Sequence, residues 1–493
     1  MKRGNIFSSV FNLSEQPVSL IDIILVFFSS ILVILATLYP FNFSFNSNLS
    51  WQQLIESFNN TSLFQDQVNN VLLFMPVGFT VTNVLQKTRM KPIVKIFIVI
   101  LASAGLSFTV ELLQVFLPSR QPTPEDILNN TIGGCFGFLS FYTYNSRTIT
   151  HQNIRVRHSA QKITAFFAGY IFLTFILAIL WQNTTNLSTW SLNYHLLLGN
   201  EQIGDRPWQG YIYKVDIADK SVTEKEVSQI FTDETYFTNI GDSLLASYQL
   251  NNECCYQDQT GKLSRLVWRG KPTETQFGEG VFFNSTNWLE SSAAVTSLNK
   301  KISETSEFTI STTVASGNTN QTGPARIVSI SRNSVRRNFT LGQQGSDLDL
   351  RIRTPITGKN GSEFKLNVPG IFADTNPHHI VVTYSKATVQ VYVDKLQNYY
   401  SFNLLELMPK EHKIFYYALT FIPLGFCLAL VTTLAKRRVI FYRLLLLNGI
   451  ILPSVILESV LVSESGKSIS LNSIILSVFF TTVTMLLFKV RSA

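Results

Sequence analysis

Three short stretches carry polar residues at helical spacing inside apolar surroundings. Asp66, Asn69 and Asn70 share one helix face, Glu111 and Gln114 share another, and Asp126, Asn129 and Asn130 a third. Arg120 lies between the last two. Its guanidinium can bind a phosphate or carboxylate through two parallel hydrogen bonds. The acids can do acid–base chemistry or hold a metal, but no His or Cys joins them and no nucleophile stands out. A plainer account competes with both. Asp66 and Asp126 make good helix N-caps, the Asn side chains can bond helix to helix, and Arg120 can pair with Glu111 or Asp126. Far along the chain, Asp347 and Asp349 alternate on a short β run, where they can ligate Ca²⁺ with loop carbonyls or form a solvated strand face.

The elements that position these groups follow from hydropathy. Of the 493 residues, 46% are hydrophobic and 15% charged, with 38 Phe. Soluble domains carry about 25% charged residues, so the composition excludes disorder and an ordinary soluble enzyme. Apolar runs long enough to cross a bilayer cover residues 20–39, 68–86, 93–117, 127–144, 163–181, 414–435, 439–462 and 469–489. The first has Lys2 and Arg3 before it and no small-residue cleavage site after it, so it reads as an uncleaved span. The fourth is the most polar and resembles a re-entrant segment, but charge argues that it crosses. With eight spans and a cytoplasmic N-terminus, Lys87, Arg89, Lys91, Arg147, Arg155, Arg157, Lys162, Lys436, Arg437, Arg438, Arg443, Lys489 and Arg491 all fall inside. Only Arg120 and Lys467 fall in short outside loops, as the positive-inside rule requires. Both termini are then cytoplasmic. The net charge of +8 is a topology signal, and no basic stripe for nucleic acid appears.

In this topology every distinctive polar group sits at the outer membrane face. Ionisable groups there mark function by default, and span N-termini add positive dipole ends. Such a site suits an anionic lipid headgroup or a lipid-linked sugar phosphate. The strings Asp66-Gln-Val-Asn69-Asn70, Phe74-Met-Pro76-Val-Gly78-Phe79, Glu111-Leu-Leu-Gln114, Pro118-Ser-Arg120 and Asp126-Ile-Leu-Asn129-Asn130-Thr-Ile-Gly133-Gly134 closely resemble the VanZ-like family of bacterial membrane proteins, over about residues 20–145. The resemblance implies an envelope role, with glycopeptide resistance the known association, and supplies no established reaction.

Residues 182–412 form a polar stretch that this topology places outside the cell. Short alternating runs at 308–314, 325–331, 339–342, 347–353, 379–384 and 389–393, separated by turn signals, predict a β-sandwich. The succession Phe308-Thr-Ile-Ser-Thr-Thr-Val314, Arg326-Ile-Val-Ser329, His378-His-Ile-Val-Val-Thr-Tyr384 and Val389-Gln-Val-Tyr-Val-Asp394 resembles the concanavalin A-like (laminin G-like) jelly roll. The closing strand of that family is missing after Asp394. It is expected instead at the front, around Leu198-Gly199-Asn200, Trp208-Gln-Gly-Tyr-Ile212 and Val215–Lys220, which implies a circularly permuted jelly roll whose ends meet near the membrane. The resemblance implies glycan binding, and Ca²⁺ in some members. Trp208 offers a ring on which a sugar can stack, but the resemblance implies that it is a core or closing-strand residue. Cys254 and Cys255 are adjacent, so a disulfide between them would be strained, and free thiols are the simpler account.

The last three spans echo the earlier ones. Phe421-Ile-Pro423-Leu-Gly425-Phe426 matches the string at Phe74, Glu458 follows Pro423 by 35 residues as Glu111 follows Pro76, and Lys467 takes the offset of Arg120. Other polar groups are lost: Asp66 corresponds to Lys413, Asn69 and Asn70 to Tyr416 and Tyr417, Gln114 to Leu461, Asp126 to Ser473. The sequence therefore predicts a polytopic helical membrane protein in three parts. They are five spans in 1–181, an extracytoplasmic sandwich in 182–412, and a degenerate second copy in 413–493. It favours a binding protein over an enzyme. The partners expected are envelope polysaccharide and membrane lipid or a lipid-linked glycan. The alternative is an enzyme or handler of a lipid-linked precursor.

Overall fold

The computed structural model describes residues 17–44, 64–117, 122–150, 160–233, 236–250, 256–271, 280–435 and 439–490. Arg120, Cys254 and Cys255 lie outside them. The chain divides into two compact units, Met1–Arg157 and His158–Ala493.

The first unit holds helices α1 (Leu20–Leu38), α2 (Phe64–Gln86), α3 (Pro92–Gln114) and α4 (Pro124–Thr150). A capping box between Ser19 and Asp22 starts α1. Prolines start α3 and α4, where a missing N–H costs nothing. The fourth apolar run is thus part of one continuous 27-residue helix. Glycines set the packing. A Cβ on Gly78 of α2 would lie 2.0 Å from the Gly134 carbonyl oxygen of α4, and one on Gly137 would lie 2.1 Å from that of Met75. The two backbones therefore touch, as small residues permit in membrane helices. Val33 and Leu38 of α1 close the bundle over Phe74, Val77 and Val110.

The second unit holds α5 (Ala160–Gln182), a sandwich, and then α9 (Lys410–Ala435), α10 (Val439–Ser465) and α11 (Leu471–Val490). The division of the chain groups α5 with these helices and not with residues 1–157, where the sequence partition had put it. A buried bond from Tyr170 of α5 to the Gly449 carbonyl of α10, and another from Trp181 to Thr420 of α9, explain why. Helicity and hydropathy could not assign the partner, because α5 is apolar on all sides. Six helices of the whole chain are long and apolar enough to cross a membrane, and α11 has a shorter apolar stretch, among the described residues.

Two antiparallel sheets of seven strands make the sandwich. One runs in the order β11 (Leu366–Val368), β10 (Asp347–Ile352), β9 (Arg336–Gln344), β8 (Ala325–Asn333), β1 (His195–Leu198), β6 (Asn287–Ser291), β4 (Leu266–Gly270). The other runs β14 (Lys395–Asn403), β13 (Thr388–Val393), β12 (Pro377–Ser385), β7 (Phe308–Ser316), β2 (Gly210–Ala218), β3 (Leu244–Gln249), with β5 (Val281–Phe283) also on β2. All the strands expected from alternation are present. The front segment supplies β1 and β2, which take interior places. The C-terminal side is not bare, however: β14 follows Asp394 and pairs with β13. As an edge strand it keeps alternate residues exposed, so its apolar pattern is weak. Helices α6 (Glu224–Thr232), α7 (Thr296–Thr305) and the short α8 (Leu404–Leu407) fill the connections.

The sandwich docks directly on its helices. The Ile356 N–H reaches the Thr184 carbonyl, just past α5, at 3.1 Å, and the Tyr384 hydroxyl donates to that of Thr185. Thr388 and Asn403 both donate to the carbonyl of Ser465, the last residue of α10.

The glycine contact is testable. Gly78→Ala drives a methyl into backbone, and overpacking of that kind costs about 1–3 kcal/mol. Gly105→Ala meets nothing within 4 Å and serves as control. Thermal unfolding in detergent is expected to drop for Gly78→Ala and to stay level or rise for Gly105→Ala.

Candidate functional site

In the first unit, the polar groups gather where α3 ends and α4 begins. Glu111 is buried, and its Oε2 accepts the Thr123 backbone N–H at 2.9 Å, just before α4. The buried Gln114 donates to the Thr37 carbonyl of α1 at 3.2 Å, and Asn130 donates to Ser107 Oγ at 2.8 Å. Gln67 of α2 donates to Glu125 of α4 at 3.2 Å. Four buried oxygens nearby have no hydrogen-bond partner: Asp126 Oδ1, Asn130 Oδ1, Thr123 Oγ1 and Ser103 Oγ. An unmade buried hydrogen bond costs about 1–3 kcal/mol, so this seam between α3 and α4 is incomplete as it stands. The structure thus brings together Glu111, Gln114, Asp126 and Asn130. Asp66 and Asn69 are exposed, and Asn70 and Asn129 half-buried. Sequence reasoning missed Gln67, Thr123, Glu125, Ser103 and Ser107. The signal was there for two of them: Ser103, Ser107 and Glu111 recur every four residues along α3.

The opposite end of the bundle carries a second network. Buried Asp22 of α1 accepts from Lys87, from Asn83 at 2.8 Å and from Ser19. Lys95 of α3, also buried, reaches Gln86 of α2 at 3.3 Å. Charge counting treats Lys87 as a loop charge, whereas in the fold it is the partner of Asp22.

In the second unit, α10 and α11 repeat the first contact. Glu458 Oε1 accepts the Ser470 N–H at 2.7 Å, twelve residues on, as Glu111 accepts from Thr123 twelve residues on. Lys467 Nζ lies 2.6 Å from the same carboxylate oxygen, both side chains 5% exposed. A Cβ on Gly425 would lie 2.7 Å from the Thr481 carbonyl oxygen, at the chain separation that relates Gly78 to Gly134. Ser473, at the position of Asp126, likewise has a buried oxygen without a partner.

The sandwich holds a cavity of about 590 Å³ on the outer face of its second sheet. A bulge in β2 between Ile212 and Lys214 creates the floor. It shifts the alternation, so that Ile212, Val215 and Ile217 face the core while Lys214 and Asp216 face out. Lys214 Nζ lies 2.9 Å from Asp216 Oδ2, and Asp216 Oδ1 is buried with no hydrogen-bond partner. Ser311 Oγ and His379 Nε2 are 2.8 Å apart beside them. Ile230 and Phe237 wall one side, and Gln249, Gln259 and Tyr213 the other. Burial pushes the Asp216 carboxyl upward against the pull of Lys214. Burial, then Lys214, pushes His379 down to about 4, so the imidazole is neutral at pH 7. Tyr213 continues into a cluster of tilted aromatic rings: Tyr211 and Phe282 have ring centroids 4.9 Å apart with their planes at 53°.

The VanZ/LLP1 family model matches residues 6–149, and that of the concanavalin A-like lectin/glucanases superfamily matches residues 289–399. The first bundle is a VanZ-like domain. The sandwich carries the concanavalin A-like domain, within a helical membrane protein. No curated protein and no solved structure matches the chain. The VanZ-like match spans α1 to α4, so it includes both polar networks described above. The concanavalin A-like match runs from β6 to β14 and leaves out β1 to β5, hence Lys214 and Asp216. Asp347, on β10, accepts the Gly370 N–H at 3.0 Å, and Asp349 is 3.0 Å from Arg351 Nε. No group of three His, Cys, Asp or Glu gathers to hold a metal among the described residues. Trp208 is a core residue, its Nε1 donating to Gln343.

Two measurements test this geometry. Removing one partner of a buried ion pair costs about 3–5 kcal/mol. Lys467→Met is therefore expected to destabilise the protein strongly, and Lys467→Met with Glu458→Gln to recover most of the loss, in a double-mutant cycle of unfolding midpoints. For His379, the folded-state value lies below the ordinary 6.5, so protonation favours the unfolded chain. The stability given by the neutral ring is complete above pH 6.5 and is lost as pH falls towards 4. His379→Gln is expected to flatten that part of the pH profile.

Proposed function

We propose that this protein captures an envelope glycan with its concanavalin A-like domain, outside the cytoplasm, and holds it beside its membrane helices. One observation carries the reading. The cavity of the second sheet joins hydrogen-bonding groups (Lys214, Asp216, Gln249, Gln259, Ser311 and His379) to an aromatic cluster at Tyr213, Tyr211 and Phe282. Sugars need both: polar groups for their hydroxyls and an apolar surface for their C–H faces. Asp216 Oδ1 is a buried acceptor with no hydrogen-bond partner, beside Ser247, which acts on the same carboxyl; a sugar hydroxyl is a donor of the kind it can take.

A second reading concerns the VanZ-like domain. Its unpartnered oxygens on Asp126 and Asn130 are acceptors. They favour the hydroxyls or amine of a lipid-linked glycan over its phosphate. This supports a polar lipid partner at the α3–α4 seam, with the carboxamide and carboxylate groups binding it and no reaction assigned to them.

The test is binding of envelope polysaccharides and arrayed glycans by the full chain in detergent micelles. Asp216→Asn and Tyr211→Ala are each expected to weaken saturable binding at least about tenfold, the loss of one good contact of about 1.4 kcal/mol. A chelator is expected to leave binding intact, because Asp349 is engaged by Arg351. Equal binding by wild type and Asp216→Asn would remove the cavity as the site.

A further inference from the structure

The other sheet hides a charge imbalance. Arg326 of β8 and Arg337 of β9 are 1% and 0% exposed. Arg326 Nε donates to the Oε1 of Glu201, itself wholly buried, at 3.0 Å. Glu201 is then filled by Ser329, at 3.4 Å, and by Ser331. Arg337 feels that carboxylate's charge but makes no hydrogen bond to it. Its Nε, Nη1 and Nη2 have no hydrogen-bond partner, and neither has Arg326 Nη1. Asp349, the other acid acting on Arg337, is engaged by Arg351. Three guanidiniums thus share two carboxylates, and the surplus cation is the most deeply buried one.

A buried guanidinium with no hydrogen bond, whose counter-charges are already shared with other cations, is costly to keep. Water can satisfy the N–H groups but cannot balance the charge. Register keeps the groups together: Ser331 lies opposite Arg337, and Ser329 opposite Thr340, on the face away from the apolar core. The segment after β1 brings in Glu201, which bonds Arg326 and both serines. We propose that Arg326 and Arg337 enclose a small monovalent inorganic anion, of chloride size, in this sealed part of the sandwich. Full burial of both side chains excludes a sugar or a lipid phosphate. The anion neutralises the surplus guanidinium and takes the N–H groups that no protein atom accepts. It is distinct from the glycan cavity, which lies on the other sheet.

The experiment exchanges sodium chloride for sodium gluconate at constant ionic strength and follows thermal unfolding of the full chain by tryptophan fluorescence. A ligand bound only by the folded state raises the midpoint by about 3 °C for each tenfold increase above its Kd. Wild type is expected to show that saturable rise in chloride and in bromide, but not in gluconate. Arg337→Met is expected to lose the response. A midpoint equal in chloride and gluconate, or a full response in Arg337→Met, overturns the proposal. If Arg337→Met does not fold, crystals of the wild-type chain grown in bromide decide. An anomalous peak within hydrogen-bond distance of both guanidiniums supports the site, and no peak there refutes it.

Discussion

The VanZ-like domain depends on two helix backbones being able to touch. Lipid offers no hydrophobic force between helices, so close packing must supply the association. Gly78, Gly133 and Gly137 remove the side chains that would hold α2 and α4 apart. Once these two helices are fixed, α3 has its place, and Ser103 and Ser107 come to face α4. Glu111 then lies under the start of α4 and accepts its first free N–H from Thr123. A carboxylate that looks like a reactive group is, in the first instance, a cap for its neighbour. What is left over, the unpartnered oxygens beside it, is the part that calls for a ligand.

The second bundle shows the same plan with that remainder reduced. Glu458 caps Ser470, and Gly425 meets Thr481. Lys467 fills the carboxylate, and Ser473 stands where the other bundle has Asp126. Each unit contributes four long helices, α1 to α4 in one and α5 and α9 to α11 in the other. The sandwich is then an insertion between the first and second helices of the later bundle.

Much of this was legible in the sequence, because hydropathy and alternation report directly on burial. The long apolar helices and the strands β7 to β10, β12 and β13 fall where their patterns put them. Trp208 was legible as core from its place in the motif. Other features depend on partners far away in the chain. Asp22 and Lys87 are separated by 65 residues, and each alone looks like a boundary charge. The bulge in β2 reverses which side of the strand faces out, so Lys214 and Asp216 could not be assigned to a site from alternation. Nothing local to Arg326 and Arg337 reveals that both are buried, or that Glu201 comes from a segment more than a hundred residues earlier. Partition of the helices failed at α5 for the same reason: an all-apolar helix carries no mark of which neighbours it prefers.

The seating of the sandwich has a mechanical side. It is held just past α5 through Thr184 and Thr185, at the end of α10 through two donors on one carbonyl, and on the following turn through Glu406 and Ser468. These are hydrogen bonds to backbone and loop atoms, spread across the base of the domain. A pull on the sandwich is therefore shared among several helices at once, instead of running through a single tether. The domain is mounted like a bracket on a wall.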